Sequence, residues 1–596
     1  MGMQLEARGN GIWVAPGARI IDRTGRKMLP IGRDGFDVAA ADSVLIDKTM
    51  LIADILDSGY TATLFCRPRR FGKTLNMTMM KSFFEIPVDG RDRAPLFEGT
   101  EVWEAQDGRY REYQGAYPVI SLSMRTAKGN AWRDTYGALR NLIIAEYLRH
   151  DYLASSEALP DDERAYCARI MSGAADTDEF ADSLIHLARD LSIVHGRNAV
   201  ILIDEYDAPV MAAYSAPRGG YYDDAVAFLK RWLTGALKDG GEALAFACLT
   251  GVQRISKESI FSDLNNLTVS TALSDKFDER YGFSDEEVYA LACYLSHADC
   301  MDEARRWYDG YRFGASDIYN PWSVLNYFDN DCSPDVYWGN TSSNSVVGEL
   351  VRRADEKTLS SVYALLEPGG TVEAPLDLGI VFPDIGVRPE ALWSMLYLAG
   401  YLTTEDTALP NNTRIRRRLR IPNAEIAELY RTEIVERFTR AAGGLNGLDA
   451  LHDALIAGDA AALEAELSRV VRDSASYLDI VSENSAHMLL LGFCFGIPGF
   501  ADPVSNRERG YGRPDIQLLP AATLFFHGTR PLITIELKYA ADVSDGALRV
   551  KAAEGLAQIS EAGYDASVPS GAHGCVRWGI AFSGKRVAAA SEVLLE

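Results

Sequence analysis

The apolar positions along the chain change period several times, and each change marks an element. From Thr61 to Cys66 they are nearly continuous and rich in β-branched and aromatic residues, as in a short buried strand. From Leu75 onward, Leu75, Met79, Met80, Phe83 and Phe84 fall near a 3.6-residue period, which predicts a helix. Apolar runs recur at Tyr117–Ser123, Ala199–Ile203 and Ala243–Leu249, and each predicts a core strand. Helical spacing fills Asn130–Arg149 and Thr177–Val194, and an amphipathic helix starts near Lys48. Strands alternating with helices predict an α/β domain built on a parallel sheet. Met1 to Arg26 is glycine-rich with little periodicity and reads as an irregular lead-in.

The second half is patterned differently. Asn330–Ile380 weakens into helices broken by Gly and Pro. Pro389–Tyr401 is an amphipathic helix, followed by Leu402–Thr407, a Pro-Asn-Asn turn and Thr413–Ile421. Helix plus hairpin is how a winged-helix module reads. In its second strand Arg414, Arg416, Arg418 and Arg420 share one face by the period of two, with Ile415, Leu419 and Ile421 opposite. A basic wing suits nucleic-acid phosphates. The plain alternatives are a solvated edge strand or one docked on an acidic surface. Ile421–Phe438 and Gly447–Val471 then read as a helical connector.

Chemistry enters between the first strand and its helix. Arg67-Pro-Arg-Arg-Phe-Gly-Lys-Thr74 forms a strand–loop–helix junction with Gly-Lys-Thr at the helix start, the layout of a phosphate-binding loop. Arg67 stands where the general motif has its first glycine. Main-chain N–H groups of Arg69, Arg70, Phe71 and Gly72 would face the anion, Lys73 would reach the β- and γ-phosphates, and Thr74 would ligate Mg²⁺. The run Ala199–Ile203 delivers Asp204 and Glu205 to the carboxyl end of a strand. Asp204 is expected to hold the Mg²⁺ shell, Glu205 to orient or deprotonate the attacking water, and Asp207 to cap a turn. Thr250, at the tip of the next strand, is the candidate γ-phosphate sensor, and Arg254 and Lys257 follow it as further phosphate contacts or solvated cations.

In the C-terminal stretch Arg530–Tyr539, strand alternation puts Thr534, Glu536 and Lys538 on one face and Ile533, Ile535 and Leu537 on the other. Asp515 lies upstream at a strand start, and Glu483 and His487 share a face of the helix Glu483–Phe493.

Composition narrows the picture. The chain has 596 residues, of which 47% are hydrophobic, enough for several domains. A net charge of −24 argues against nonspecific coating of nucleic acid. The eight cysteines are scattered without a C-x-x-C, and Cys293 and Cys300 are the closest pair, which favours reduced, buried thiols over a zinc site or disulfides. No run of about 18 apolar residues occurs, so no membrane segment and a cytoplasmic location are expected.

The blocks RPRRFGKT, ILIDEYD, LTGVQRISKESIFSDLNNL (Leu249–Leu267), YDGYRF (Tyr308–Phe313) and IYNPWSVLNYF (Ile318–Phe328) resemble bacterial AAA-ATPase-like proteins fused to a PD-(D/E)xK nuclease domain. An arginine commonly stands at the Arg67 position in that family. The resemblance implies ATP and Mg²⁺ as cofactors. It also implies a metal-dependent nuclease in which Asp515 and Glu536 bind Mg²⁺ with Glu483, Lys538 activates water, and Gln558 borders the site, with Tyr564 packing or stacking nearby. The expected division is a lead-in at 1–27, a P-loop ATPase domain at 28–272, and a helical lid at 273–385. A winged-helix-like connector at 386–475 and a nuclease-like α/β domain at 476–596 follow. The expected partners are ATP and nucleic acid, DNA before RNA, with self-association left open. The rival readings are a signalling or scaffold ATPase whose nuclease-like domain binds without cutting, and an ATP-driven remodeller.

Overall fold

The computed structural model describes residues 4–216, 220–239, 241–253, 261, 265–339, 347, 355–380, 388–409, 415–473, 482–505, 513–521, 529–564 and 572–594. Arg254, Lys257 and Arg414 lie outside the described residues. The chain divides into two compact units, Met1–Asn340 with Val372–Ile426, and Thr341–Thr371 with Ala427–Glu596. Among the described residues no helix is long and apolar enough to cross a membrane.

The first unit is built on a five-stranded, all-parallel sheet. Its strands are β1 (Ala62–Cys66), β2 (Val119–Ser123), β3 (Ala199–Asp204), β4 (Leu244–Gly251) and β5 (Leu267–Ser270), in the spatial order β2-β3-β4-β1-β5. All residues of β1 and β3 are buried, which is why they read as unbroken apolar runs rather than alternating ones. One core of this sheet packs Leu139 and Ile143 of Trp132–Arg149, Leu184 and Leu187 of Thr177–His195, and Trp232 of Tyr222–Thr234. The helix Lys73–Phe84 follows β1, and its buried Met79, Met80, Phe83 and Phe84 are the positions of the 3.6-residue pattern.

Two differences from the sequence expectation have clear causes. The N-terminal stretch is not irregular: Glu6–Gly9, Ile12–Ala15, Ala18–Ile21 and Leu45–Ile46 form a four-stranded antiparallel sheet. Asn10 and Gly11 both take positive φ, 49° and 74°, the two-residue hairpin turn that an Asn-Gly pair favours. This sheet shares a second core with Asp285–Leu295, Met301–Tyr308 and Pro321–Asp329.

The basic strand Arg416–Arg420 is the centre of a three-stranded sheet, between Val372–Pro375 and Thr403–Thr404, and not an edge. Its described outward arginines are all paired within the sheet. Arg416 meets Glu373, Arg418 Nη2 donates to Asp406 Oδ1 at 3.2 Å, and Arg420 Nη2 reaches Glu405 at 2.5 Å. Arg417, on the opposite face, is fully buried and donates to the carbonyls of Asp406 and Leu409.

The second unit holds a mixed sheet in linear order: β6 (Val504–Ser505), β7 (Ile516–Leu518), β8 (Arg530–Tyr539), β9 (Ala572–Ser583) and β10 (Arg586–Leu594). Only β8 and β9 are parallel, joined through the helix Asp545–Ala562. Gly579 on β9 lets this helix come close, since a Cβ there would stand 2.0 Å from the carbonyl oxygen of Ala552.

Candidate functional site

The loop after β1 turns at Gly72, whose φ of 78° suits glycine, and the next residue begins the helix Lys73–Phe84. The first main-chain N–H groups of that helix therefore open toward the loop, an anion-binding arrangement. Lys73 is buried, and its Nζ donates to the carbonyls of Arg67 at 2.9 Å and Pro68 at 2.6 Å. Burial pulls its pKa down to about 8, against the upward pull of Asp204, Asp207 and Glu205.

Asp204, at the end of β3, is clamped from two sides. Its Oδ2 accepts from Thr74 Oγ1 at 2.8 Å and its Oδ1 from Thr250 Oγ1 at 2.5 Å. The sheet order explains the second contact, because β4 lies between the acid strand and the loop strand. Glu205 follows in a left-handed conformation, φ 53°, and its N–H donates to Thr250 Oγ1 at 3.3 Å. Left-handed backbone at a non-glycine residue is costly and concentrates at functional positions. Asp207 accepts the N–H groups of Val252 at 2.8 Å and Gln253 at 3.0 Å, the turn-capping role expected from the sequence.

Arg125 was not singled out by the sequence reading. It lies just past β2, beside the acid strand, and its guanidinium joins three groups. Its Nη1 donates to Asp34 at 2.6 Å, its Nη2 to Thr74 Oγ1 at 3.0 Å, and its Nε to Glu205 Oε1 at 3.3 Å. The available signal was an arginine two residues beyond a core strand, at the carboxyl edge where ligands of parallel sheets bind.

The loop side chains divide in role. Arg67 is fully buried and spends its guanidinium on Cys66 O and Ser270 O, both at 3.0 Å, Ser270 Oγ at 3.1 Å and Phe277 O at 3.2 Å. Its side chain ties β1 to β5 and does not face the loop interior. Phe71 is likewise buried, against Tyr311 and Phe313 with ring centroids at 5.0 and 5.1 Å. Arg70 stacks over Trp322 at 4.0 Å and donates to Tyr337 O at 3.0 Å, while Arg69 is exposed. Arg67, Phe71 and Arg70 thus hold the loop from outside, and only main-chain groups of these residues remain for an anion.

A second cluster gathers in the other unit. Asp515 immediately precedes β7, and Ile516 pairs with Ile535 of β8, so the aspartate sits across from the Glu536–Lys538 stretch. Its Oδ2 accepts the N–H of Leu537 at 2.7 Å. Lys538 Nζ bridges Glu536 Oε1 at 2.9 Å and Gln558 Oε1 at 2.8 Å, and Gln558 Nε2 donates to Tyr564 OH at 3.2 Å. Glu536 is only 4% exposed, and its second oxygen is buried with no hydrogen-bond partner among the described residues. Burial first, and then the Asp515 charge, push its carboxyl up to about 7.

Burial also raises Asp515. A buried carboxyl with an orphaned oxygen beside a half-buried one forms a hard-oxygen donor set that a divalent cation would satisfy. Glu483 begins the helix Glu483–Phe493, exposed, and its charge acts on both Glu536 and His487. His487 Nε2 lies 2.8 Å from Ser505 Oγ, and burial lowers its pKa to about 4, so the ring is neutral near pH 7.

Residues 30–261 of the first unit, which contain β1, the loop, β3 and β4, match a family model described as "Predicted AAA-ATPase". The chain is also similar to a protein of Azotobacter chroococcum mcd 1 titled "Uncharacterized protein in vnfD 5'region". The two are 29% identical over 442 residues, covering 73% of this chain and 75% of the relative.

Proposed function

We propose that the protein binds and hydrolyses ATP at the Lys73 loop and couples this to Mg²⁺-dependent phosphodiester cleavage of nucleic acid, DNA before RNA, at the C-terminal acid cluster. At the first site, the helix N–H groups and Lys73 would take the phosphates, and Thr74 and Asp204 would hold Mg²⁺. Glu205 is the group available to accept a proton from the attacking water, and Thr250 holds its main chain.

The observation that carries the second half is the orphaned oxygen of Glu536 beside Asp515, with Lys538 held at the same carboxylate. Asp515 and Glu536, with Glu483 as a third donor, would hold a Mg²⁺ ion, which when bound polarises the scissile phosphate and lowers the pKa of water. Lys538, fixed by Glu536 and Gln558, positions that water and offsets charge developing on the phosphate. The paired arginines of Arg416–Arg420 lend no support to a nucleic-acid contact there.

The test is cleavage of linear, circular and single-stranded DNA and of RNA with Mg²⁺ or Mn²⁺, with and without ATP. Wild type should cut, Asp515→Ala and Glu536→Ala should abolish cutting and weaken metal binding, and Lys538→Ala should lower cutting by about 10²–10⁴-fold with metal binding retained. ATP binding should be unchanged in all three. An inert wild type on every substrate would give precedence to the scaffold reading, in which the acid cluster binds without cutting.

A further inference from the structure

A third cluster of chemistry-bearing side chains lies apart from the loop and the C-terminal acids, in the second core of the first unit. His297 follows the helix Asp285–Leu295, whose C-terminus closes at Ser296 with φ 71°. Cys300 ends the short turn Ala298–Cys300, and Cys332 lies just beyond the helix Pro321–Asp329 in a left-handed conformation, φ 57°. The fold thus joins Cys300 to Cys332, 32 positions away, and not to Cys293, its nearest neighbour among the cysteines. One ligand atom from each of His297, Cys300 and Cys332 lies within 4.8 Å of the others, and all three residues are half-buried.

The backbone fixes these three positions. The His297 N–H donates to Ala292 O at 2.7 Å, the Cys300 N–H to His297 O at 3.0 Å, and the Cys332 N–H to Tyr327 O at 2.9 Å. Tyr327 OH donates to Cys300 O at 3.2 Å, tying the turn to the second helix. The two thiols hydrogen-bond each other, Cys332 also meets the Tyr327 side chain, and His297 is less engaged. Neither ring nitrogen of His297 has a hydrogen-bond partner among the described residues; the ring stacks on Phe328 with centroids at 6.0 Å. Asp299 offers a fourth group, its Oδ1 3.9 Å from Cys300 Sγ.

We propose that His297, Cys300 and Cys332 form a transition-metal site of the zinc class, with Asp299 or a water completing a tetrahedron. Two sulfurs and an imidazole are soft-to-borderline donors, which select Zn²⁺ over Mg²⁺ or Ca²⁺. With Zn–S near 2.3 Å and Zn–N near 2.0–2.1 Å, tetrahedral ligand atoms stand about 3.4–3.8 Å apart. Closing from 4.8 Å or less takes a shift of about 1 Å, within reach of χ rotation at the three residues. Binding breaks two S–H bonds as two Zn–S bonds form, and both protons leave to solvent.

The site would clip the turn after the first helix to the end of the helix that carries Trp322, and Trp322 is the residue on which the loop's Arg70 rests. The metal would therefore brace the outer support of the phosphate loop.

The test uses the full chain, purified without chelator and analysed by elemental mass spectrometry. About one zinc per chain is expected, and replacement by Co²⁺ should produce thiolate-to-cobalt charge-transfer absorption. Cys332→Ser and His297→Asn should each lose most of the metal, while Cys293→Ser keeps it. A second measurement, made on wild type, does not depend on a variant folding. Two thiols should be protected from a thiol reagent when zinc is added to chelator-treated protein and exposed when it is withdrawn. Absence of bound metal with equal thiol reactivity in both conditions would overturn the proposal, as would a Cys300–Cys332 disulfide in a non-reduced peptide map.

Discussion

Arg125 sets its Nε 3.3 Å from Oε1 of Glu205, so the acid that follows β3 is held by an arginine arriving from the end of β2. The same guanidinium bonds Thr74, the loop hydroxyl, and Asp34. Arg125 therefore joins the phosphate loop to the acid that would serve the attacking water. Arg125→Ala should leave Glu205 unanchored. ATP affinity should change little, while turnover falls about 10- to 100-fold, a part of what a fully placed general base contributes. Turnover equal to wild type, measured beside a calorimetric Kd, would remove Arg125 from the mechanism.

Lys73 and Glu205 should separate binding from hydrolysis. Lys73→Ala removes the loop's buried ammonium and with it both its carbonyl contacts, so ATP binding should be lost. Glu205→Gln leaves Asp204 clamped by Thr74 and Thr250, so ATP should still bind while hydrolysis slows. Calorimetry showing wild-type affinity in Lys73→Ala would contradict the assignment of the loop.

Arg67 makes a different prediction from its neighbours in the loop. Its guanidinium reaches four acceptors on three residues, and truncation would leave the buried carbonyls of Ser270 and Phe277 without it. Arg67→Ala should cost about 2–5 kcal/mol of stability by denaturant titration. Arg67→Lys should recover only a fraction, because one ammonium cannot span the fork of a guanidinium. An Arg67→Ala protein of unchanged stability but weakened ATP affinity would mean the side chain turns to the nucleotide after all.

Glu536 ties the C-terminal cluster to pH. Its carboxyl is held up at about 7 by burial and by Asp515, above an unfolded value near 4.3. The folded chain then binds the extra proton, so this group's contribution to stability declines as pH rises from about 4.3 to 7 and stays unfavourable above. In metal-free protein, Glu536→Gln should raise the unfolding midpoint relative to wild type at about pH 8 and lose that advantage near pH 5. Metal binding needs the carboxylate, so Mg²⁺ or Mn²⁺ affinity should climb with pH up to about 7 and then level. A metal affinity flat across that range would place the ion away from Glu536.

The basic strand should be silent in nucleic-acid binding. Arg416, Arg418 and Arg420 are engaged by Glu373, Asp406 and Glu405, so replacing all three with Ser should leave the slope of log affinity against log salt unchanged. A slope flattened by about 0.9 for each arginine would show that they exchange those acids for phosphates.

Local pattern was enough for the elements whose chemistry is local. A strand buried on both faces must be apolar throughout, so β1 and β3 stood out as runs. Gly-Lys-Thr and Asp-Glu at their ends needed no fold to be noticed. The alternation of β8 likewise put Glu536 beside Lys538 before any neighbour was known, and the hydrogen bond between them follows from that period of two. The Asn10-Gly11 hairpin carried an equally local signal in two residues, one that reading Met1–Arg26 by periodicity as an irregular lead-in passes over.

What only the tertiary structure decided are relations between residues far apart in the chain. A basic residue in the loop reads the same whether it faces a phosphate or, like Arg67, the carbonyls of Ser270 and Phe277 about two hundred positions away. Alternation in 416–420 names a face but not what covers it. Pairing with Val372–Pro375 supplied Glu373, and the turn after Thr403–Thr404 supplied Glu405 and Asp406. Arg125 meets Glu205 only because β2 lies beside β3, and Thr250 meets Asp204 only because β4 lies between β3 and β1. Periodicity is a property of one segment, whereas strand order and pairing arise from how segments bury their apolar faces against each other; the acid, arginine and threonine of the site come together at that second level.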